Sequence, residues 1–376
     1  MHMLVLGSGK MAKAIAYDFV KQKDIEKVVI ASRTLKGAKK IVKFLNNKKA
    51  HAAQVYVQDY KDVVKLMKGF DCAVSAVPYN FNYNLARAAI EAGCNFLDLG
   101  GNNDVVKQEF SLSKKAKKRK IAIVPDCGLA PGLVSNLTAL GLKEFKKVET
   151  IKLRVGGLPQ HPEPPLNYMI VFSTHGLINE YIESAKLIKN FKIITRPGME
   201  DLEKIYFPGY GNLEAFNTSG GTSTLPQSFK GKIKNLNYKT IRYPGHAEKI
   251  KTLMQLGLTS SKKINAEGID VAPRTVLEAL LNKNLKAKDK DLILLKVSLE
   301  DKKKIVTYEL IDKEKQGLTA MMRCTGFPVA VIAEMIARKQ IEKKGTLKHE
   351  FDIPPEILIA ELRKRGLNIK RKVRYK

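Results

Sequence analysis

The chain has 376 residues, with 67 Lys or Arg against 37 Asp or Glu, a net charge of +30, 44% hydrophobic residues and no Trp. That composition excludes a disordered or fibrous chain, and the length allows two domains with a large core. The cations are mostly Lys and run through the whole chain, unlike the clustered Arg and aromatic footprint of a nucleic-acid reader.

The first 125 residues alternate strand and helix. Met3 to Gly7 is a short apolar run ending in glycine, and Lys10 to Lys21 follows with Met11, Ala14, Ile15 and Phe19 at helical spacing. Lys27–Ala31 reads as a second strand, Leu35 to Leu45 as a helix and Ala53–Val57 as a third strand. Further strands are expected at Asp71–Ser75, Asn95–Asp98 and Ile121–Val124, with helices around Asn84 to Glu91 and Val105 to Lys118. Apolar strands between helices imply a doubly wound parallel sheet of α/β class, covered on both faces.

The first turn, Gly7-Ser8-Gly9-Lys10-Met11-Ala12, is a G-x-G-x-x-A pattern between a strand and a helix. Gly7 suits the tight turn, Gly9 a close approach to a pyrophosphate, and Ala12 close packing of helix on sheet. In any doubly wound domain the same residues also serve as a plain small-residue turn. The second strand ends in Ser32-Arg33-Thr34 and carries no carboxylate for a ribose 2′-hydroxyl. A guanidinium with two hydroxyls suits a 2′-phosphate and so predicts NADP over NAD, unless Arg33 is only an exposed loop cation. The expected cofactor contacts are Gly7, Ser8, Gly9, Lys10, Met11, Ser32, Arg33, Thr34, Asp59, Ala76, Val77 and Pro78.

After Pro125, Leu133 to Glu144 reads as a helix. Strand-like alternation appears at Val148–Val155, from Ile193, at Lys239–Arg242, Leu292–Leu299 and Lys304–Ile311, with helices at Gly176 to Ile188 and Arg274 to Leu281. This predicts an α+β second domain over 131–319 with a mixed or antiparallel sheet, able to pair with its copy in a homodimer. Thr325 to Arg338 is a helix with an early proline, Pro328, and 346–376 is a basic segment whose end, Arg363 to Lys376, either touches polyanions weakly or frays. Cys72, Cys94, Cys127 and Cys324 form no C-x-x-C pair and no zinc spacing, which predicts a reduced, cytoplasmic protein without a metal site. No apolar run of about 18 residues is apparent, so no membrane span is expected.

The loop Asp126-Cys-Gly-Leu-Ala-Pro-Gly132 resembles the D-x-G-x-x-P-G signature of the saccharopine dehydrogenase family. Within it the chain is most similar to the lysine 6-dehydrogenases, through Val155–Pro159, Pro162–Leu166 with Tyr168, Glu214–Phe216, Thr218–Leu225, Thr240–Lys249 and Met322–Pro328. The resemblance implies that the first domain spans 1–130 and is completed by a returning helix at about 320–345. It also implies nicotinamide-dependent oxidation of the ε-amino group of L-lysine to allysine, which cyclises, with ammonia released. Lysine 6-dehydrogenases of this type use NAD, whereas Ser32-Arg33 looks like the NADPH-using saccharopine reductase branch.

A lysine ε-amine must lose its proton before hydride can leave. Asp126, just past a strand's carboxyl end, and His246, in a dense polar block, are the candidate acid–base groups; a turn or helix cap and a core histidine are the alternatives. Arg242 offers a fork to the substrate carboxylate, and Gly221, Thr222 and Ser223 a nest of N–H groups, with Tyr79 beside the nicotinamide. Glu180, Glu183 and Glu200 to Glu203 read as solvated charges. Competing functions are a saccharopine reductase-like NADPH enzyme, for which Arg154 or Arg196 would anchor a second carboxylate, and a non-catalytic cofactor- or anion-binding protein.

Overall fold

The computed structural model describes residues 1–285 and 289–376. The chain forms two compact units, one of Met1–Lys143 with Met322–Asn368, the other of Glu144–Met321 with Ile369–Lys376.

In the first unit the chain runs through β1 (His2–Leu6), α1 (Lys10–Lys21), β2 (Lys27–Ser32), α2 (Leu35–Leu45), β3 (Ala50–Gln54), α3 (Tyr60–Met67) and β4 (Cys72–Ser75). It continues with α4 (Asn82–Ala92), β5 (Asn95–Asp98), α5 (Asn103–Ser111), α6 (Ser113–Lys118), β6 (Ala122–Val124) and α7 (Val134–Leu142). The strands form a parallel sheet in the order β6-β5-β4-β1-β2-β3, the doubly wound pattern with a reversal next to β1. Residues Met3 to Leu6 are fully buried, because helices cover both faces.

The segment Met322–Asn368 completes this unit. The strand Gly345–Thr346 adds to the outer side of β6. The helix Ala320–Ala337 lies close against α1, since a Cβ on Gly326 would stand 2.7 Å from the Cβ of Ala14. This helix is long and apolar enough to cross a membrane by length and composition, contrary to expectation, but 83% of that window is buried inside the protein. It also starts five residues earlier than its sequence pattern suggests: the Asp291 carboxylate accepts the N–H groups of Ala320 and Met321 at 2.6 and 2.8 Å, a cap far away in sequence. Arg365 then ties the segment down, reaching both oxygens of Asp18 at 2.9 Å and Glu334 at 2.7 Å.

The second unit contains β7 (Thr150–Pro159), α8 (Thr174–Ile182), β8 (Ala185–Lys189), β9 (Lys192–Arg196), β10 (Glu203–Phe207), β11 (Gly211–Asn217), α9 (Leu225–Phe229) and β12 (Asn235–Arg242). Then come α10 (His246–Gln255), the hairpin β13 (Ile264–Ala266) and β14 (Ile269–Val271), α11 (Pro273–Asn284), β15 (Asp291–Glu300) and β16 (Lys304–Lys313). The large sheet runs β10-β11-β12-β7-β15-β16 and ends on the strand Lys370–Tyr375, with β8 and β9 off this path; only β12 and β7 pair in parallel.

Two sequence expectations change here. The predicted helix Gly176 to Ile188 stops at Ile182, and Ala185–Lys189 turns into a hairpin through Asn190 and Phe191, both at positive φ (48° and 67°). The predicted frayed basic tail is a helix, Pro355–Lys364, followed by an edge strand in which Arg371 pairs with Glu144 and Lys372 with Glu309. Leu177, Ile178, Tyr181, Phe216, Ile250, Leu277 and Leu281 pack α8, α10 and α11 into one apolar core with β11.

Candidate functional site

In the first unit a crevice of about 360 Å³ opens at the carboxyl ends of β1, β2 and β4. Gly7, Ser8, Ser32, Arg33, Thr34, Ala76, Val77 and Pro78 line it, as expected from the sequence. Gly7 is obligatory there: its φ is +118°, and a Cβ would sit 2.7 Å from the carbonyl oxygen of Ala76. Gly9, where a Cβ would meet nothing within 4 Å, leaves the start of α1 open, with Lys10 and Met11 in the first turn. Ser32 Oγ donates to the carbonyl of Thr34 at 2.8 Å and fixes the loop, while the exposed Arg33 side chain has no protein partner among the described residues. These features fit the two phosphates and the ribose end of a dinucleotide. Asp59 does not belong to the crevice: it caps α3 by accepting from Asp62 N at 3.3 Å, and its neighbour Gln58 lines the wall instead. A cap and a crevice wall one residue apart are indistinguishable in sequence.

Farther along the same sheet edge, the loops after β4, β5 and β6 converge. Tyr79 packs on Gly101, whose added Cβ would stand 3.0 Å from the ring, and Asp126 packs on Gly100, where a Cβ would be 1.8 Å from Oδ1. Both glycines have positive φ, so the loop can present bare backbone to both side chains. Asp126 is itself at φ 63° and 3% exposed, with its N–H directed at Asp98 Oδ1 (3.4 Å). Asp98 also accepts the N–H of Gly100 at 2.6 Å. Beneath this loop Asp98 and Glu109 are fully buried together. Burial raises the proton affinity of both, and the charge of Asp98 raises that of Glu109 further, so the pair holds a proton between them. Nothing in the sequence pattern marked Glu109, which sits mid-helix among polar neighbours.

The second unit has its own polar core. Arg242 is 2% exposed; its Nε donates to Tyr181 Oη (2.9 Å) and its Nη1 to the carbonyl of Ile241 (2.9 Å). The Tyr181 hydroxyl meets His246 Nε2 at 3.0 Å, and His246 Nδ1 meets the carbonyl of Leu166 at 3.0 Å. That carbonyl requires an Nδ1–H, so in the neutral ring Nε2 accepts from the Tyr181 hydroxyl. Burial, helped by the Arg242 charge, lowers the His246 pKa to about 3. His246 is thus a fixed link that orients Tyr181 and Arg242, which corrects its expected role as a general acid–base group.

The expected carboxylate nest is also corrected. The N–H groups of Gly221 and Ser223 are spent on Ser219 and Gly220 carbonyls, and Thr222 Oγ1 donates to Lys186 O at 3.2 Å. Gly221 instead lies flat on Tyr238, whose ring atoms would be 2.5 Å from a Cβ. Glu180 is half-buried on α8, not solvated; burial raises its pKa to about 7, opposed by Arg242. Glu203 is paired with Arg154 and Lys239. Among the described residues no cluster of His, Cys, Asp and Glu can hold a metal ion.

Two family models match the chain. Residues 3–124 match the saccharopine dehydrogenase NADP binding domain and residues 128–367 the saccharopine dehydrogenase C-terminal domain. The chain is 26% identical over 268 residues to a saccharopine dehydrogenase [NADP(+), L-glutamate-forming] of Saccharomyces cerevisiae, covering 68% of this chain and 58% of that protein. It is 25% identical over 290 residues to the mitochondrial alpha-aminoadipic semialdehyde synthase of Bos taurus, covering 74% of this chain and 30% of the relative. The apo structure of the Saccharomyces cerevisiae saccharopine dehydrogenase (L-Glu forming) superposes with a TM-score of 0.82 at 21% identity, covering 99% of each chain. The homospermidine synthase of Legionella pneumophila, solved with NAD, superposes with a TM-score of 0.70 at 13% identity over 100% of this chain and 91% of that one. With both of its domains matched, the chain is a nicotinamide-dinucleotide-binding member of the saccharopine dehydrogenase family.

Proposed function

We propose that the protein is an NAD(P)-dependent oxidoreductase that converts the ε-amino group of L-lysine to an aldehyde. The observation that carries this reading is the single guanidinium, Arg242, in the polar core of the second unit, with Nη2 unspent among the described residues. It suits a substrate with one carboxylate. The alternative, a saccharopine reductase-like enzyme, needs a second anchor, and it is favoured by the alignment with the yeast enzyme. Arg154 and Arg196 are poor candidates for that anchor. Alternation along the strands puts Asn235, Asn237 and Lys239 on one face of the sheet and Tyr238, Thr240 and Arg242 on the other. Arg154 bonds Asn237 and Glu203, and Arg196 lines a cavity with Asn237 and Lys239, so both belong to the face opposite Arg242.

The reaction balances as amine cation, oxidised cofactor and water giving aldehyde, ammonium, reduced cofactor and a proton. When bound, the nicotinamide supplies the hydride acceptor. The chain's part is to bind, orient and deprotonate. In the first unit Asp126 is the candidate to accept the amine proton, with Tyr79 and Gly100–Gly101 in the same group of loops; in the second unit, described by itself, Arg242 is held by Tyr181 and His246 and is the candidate for the carboxylate. Arg33, exposed at the ribose end beside Ser32 and Thr34, supports NADP as the preferred cofactor.

The test is cofactor reduction with a panel of amino acids and diamines, with NAD and with NADP. Reduction with lysine alone is expected. NADPH oxidation only with a semialdehyde plus glutamate selects the reductase, and silence throughout selects a non-catalytic binding protein. A homodimer, measured by light scattering, and a cytoplasmic location, suited to four free buried cysteines, complete the reading.

A further inference from the structure

The loop Pro125–Gly132, which carries Asp126, is latched at both ends by two side chains that are bonded to each other. The strand Gly345–Thr346 runs parallel to β6, and the N–H groups of Gly345 and Leu347 donate to the carbonyls of Ile121 and Ile123 at 2.9 and 2.8 Å. The next rung of that ladder would join the His349 N–H to the carbonyl of Pro125. The chain turns there into the helix His349–Asp352, and the His349 ring takes the rung instead, with Nε2 at 2.9 Å from the Pro125 oxygen. At the other end Asn136, on α7, donates from Nδ2 to the carbonyl of Gly132 at 3.0 Å; this fixes the amide, because Oδ1 in that place would face another oxygen. The second Nδ2 hydrogen goes to His349 Nδ1 at 2.9 Å. Nδ1 therefore accepts, Nε2 carries the ring proton and donates to Pro125, and the ring is neutral.

His349 is 3% exposed and Asn136 wholly buried, and Asn136 Oδ1 has no hydrogen-bond partner among the described residues. Such an orphaned oxygen is rare in a folded protein, and an apolar side chain would avoid it. The amide keeps both of its hydrogens for the loop and its histidine. What the two side chains hold is the backbone around Asp126, which stands at φ 63°, a left-handed conformation unfavourable for a residue other than glycine. Gly132 comes back against it: a Cβ there would lie 2.6 Å from the Asp126 carbonyl oxygen. We propose that His349 and Asn136 are positioning residues that brace the Pro125–Gly132 loop and so hold Asp126 in its working place. Their role rests on Asp126 as the acceptor of the amine proton, and it makes that loop depend on a residue 224 positions beyond Pro125.

Hydrogen exchange and steady-state kinetics on the full chain provide the test. His349→Phe keeps a ring and removes both bonds, whereas His349→Gln keeps a donor for Pro125 and an acceptor for Asn136. In His349→Phe the amides of Cys127 and Leu133, bonded to the carbonyls of Asp98 and Gly128 at 2.8 and 2.9 Å, should exchange about tenfold faster, while those of β1 and β2 stay within about twofold and report an intact fold. Its kcat for lysine oxidation should fall about 30-fold with the KM for NADP within about twofold, and His349→Gln should recover most of both losses. Asn136→Leu should behave like His349→Phe and replaces it should that variant not fold. Asp126→Asn combined with His349→Phe should be no slower than Asp126→Asn alone, because the brace acts through that residue. Unchanged loop exchange in His349→Phe, no recovery in a folded His349→Gln, or multiplied losses in the double variant overturns the proposal. If the wild type does not oxidise lysine, or Asp126→Asn keeps its turnover, the acid–base reading of Asp126 fails, and the loop exchange with its recovery in His349→Gln still decides whether the brace exists.

Discussion

Replacing His246 with Gln separates a positioning role from a catalytic one, and the size of the effect follows from the ring's surroundings. The native pKa is lowered from 6.5 to about 3, so the unfolded chain takes up a proton on this residue at a pH where the folded chain does not. The folded-state pKa is the depressed one, and stability therefore falls as pH drops from 6.5 towards 3. Between pH 7.5 and pH 5 the wild type should lose about 2 kcal/mol through this group, or roughly 4–8 °C in Tm for a unit of this size. Gln cannot titrate, and its amide replaces only one of the two ring hydrogen bonds. His246→Gln should be less stable at pH 7.5 by about 1–3 kcal/mol, yet its further loss on going to pH 5 should be smaller by about 2 kcal/mol. Urea unfolding at both pH values reads both quantities. In kinetics the variant should raise the KM for the amino acid, because Tyr181 no longer holds Arg242 firmly, while kcat changes little. A loss of kcat above about 100-fold with unchanged stability and KM is the signature of a removed general base and would refute the reasoning.

Other substitutions test the remaining parts. Arg33→Ser should raise the KM for NADP by about 10–100-fold and leave that for NAD nearly unchanged; steady-state kinetics showing equal changes would remove Arg33 from cofactor choice. Gly100→Ala forces a Cβ to within 1.8 Å of Asp126 Oδ1 at a φ of +74°, and the displaced carboxylate should lower kcat/KM about 100-fold. Full activity in that variant would mean that the position of Asp126 is unimportant. Arg365→Met strands Asp18 and Glu334 as buried carboxylates and should cost about 3–5 kcal/mol at pH 7.5. Burial already pushes both groups up, so protonation at lower pH should restore part of the loss, which unfolding at pH 5 would detect.

The first unit was largely legible in the sequence because its apolar strands and small-residue turns are local signals. Leu35–Leu45 and Asn95–Asp98 have the expected bounds, whereas β3 lies at Ala50–Gln54, three residues before the β-branched run that drew attention. There, pairing with β2 outweighs intrinsic preference. The Asn190–Phe191 turn was missed because Phe is an unusual second residue for it, and the period-two pattern of Lys370–Tyr375 was hidden by its charge. Gly7, Ser32 and Arg33 could be found because a strand and a glycine motif flank them. The half-burial of Glu180 and the bonding of His246 could not, since both depend on what folds against them: a carboxylate on a helix looks the same whether it faces water or a packed neighbour.

The division of the dinucleotide unit between Met1–Lys143 and Met322–Asn368 also has a temporal side. During synthesis the sheet is laid down early, but the strand that covers the outer edge of β6 is about 200 residues farther on, roughly 10–40 s of translation. For that interval β6 presents an open edge, and the face of α1 around Ala14 lacks the helix that Gly326 brings against it. The nascent chain therefore passes through a stage in which a nearly complete nucleotide-binding sheet is sticky, and slowed elongation or early release there should favour aggregation over folding.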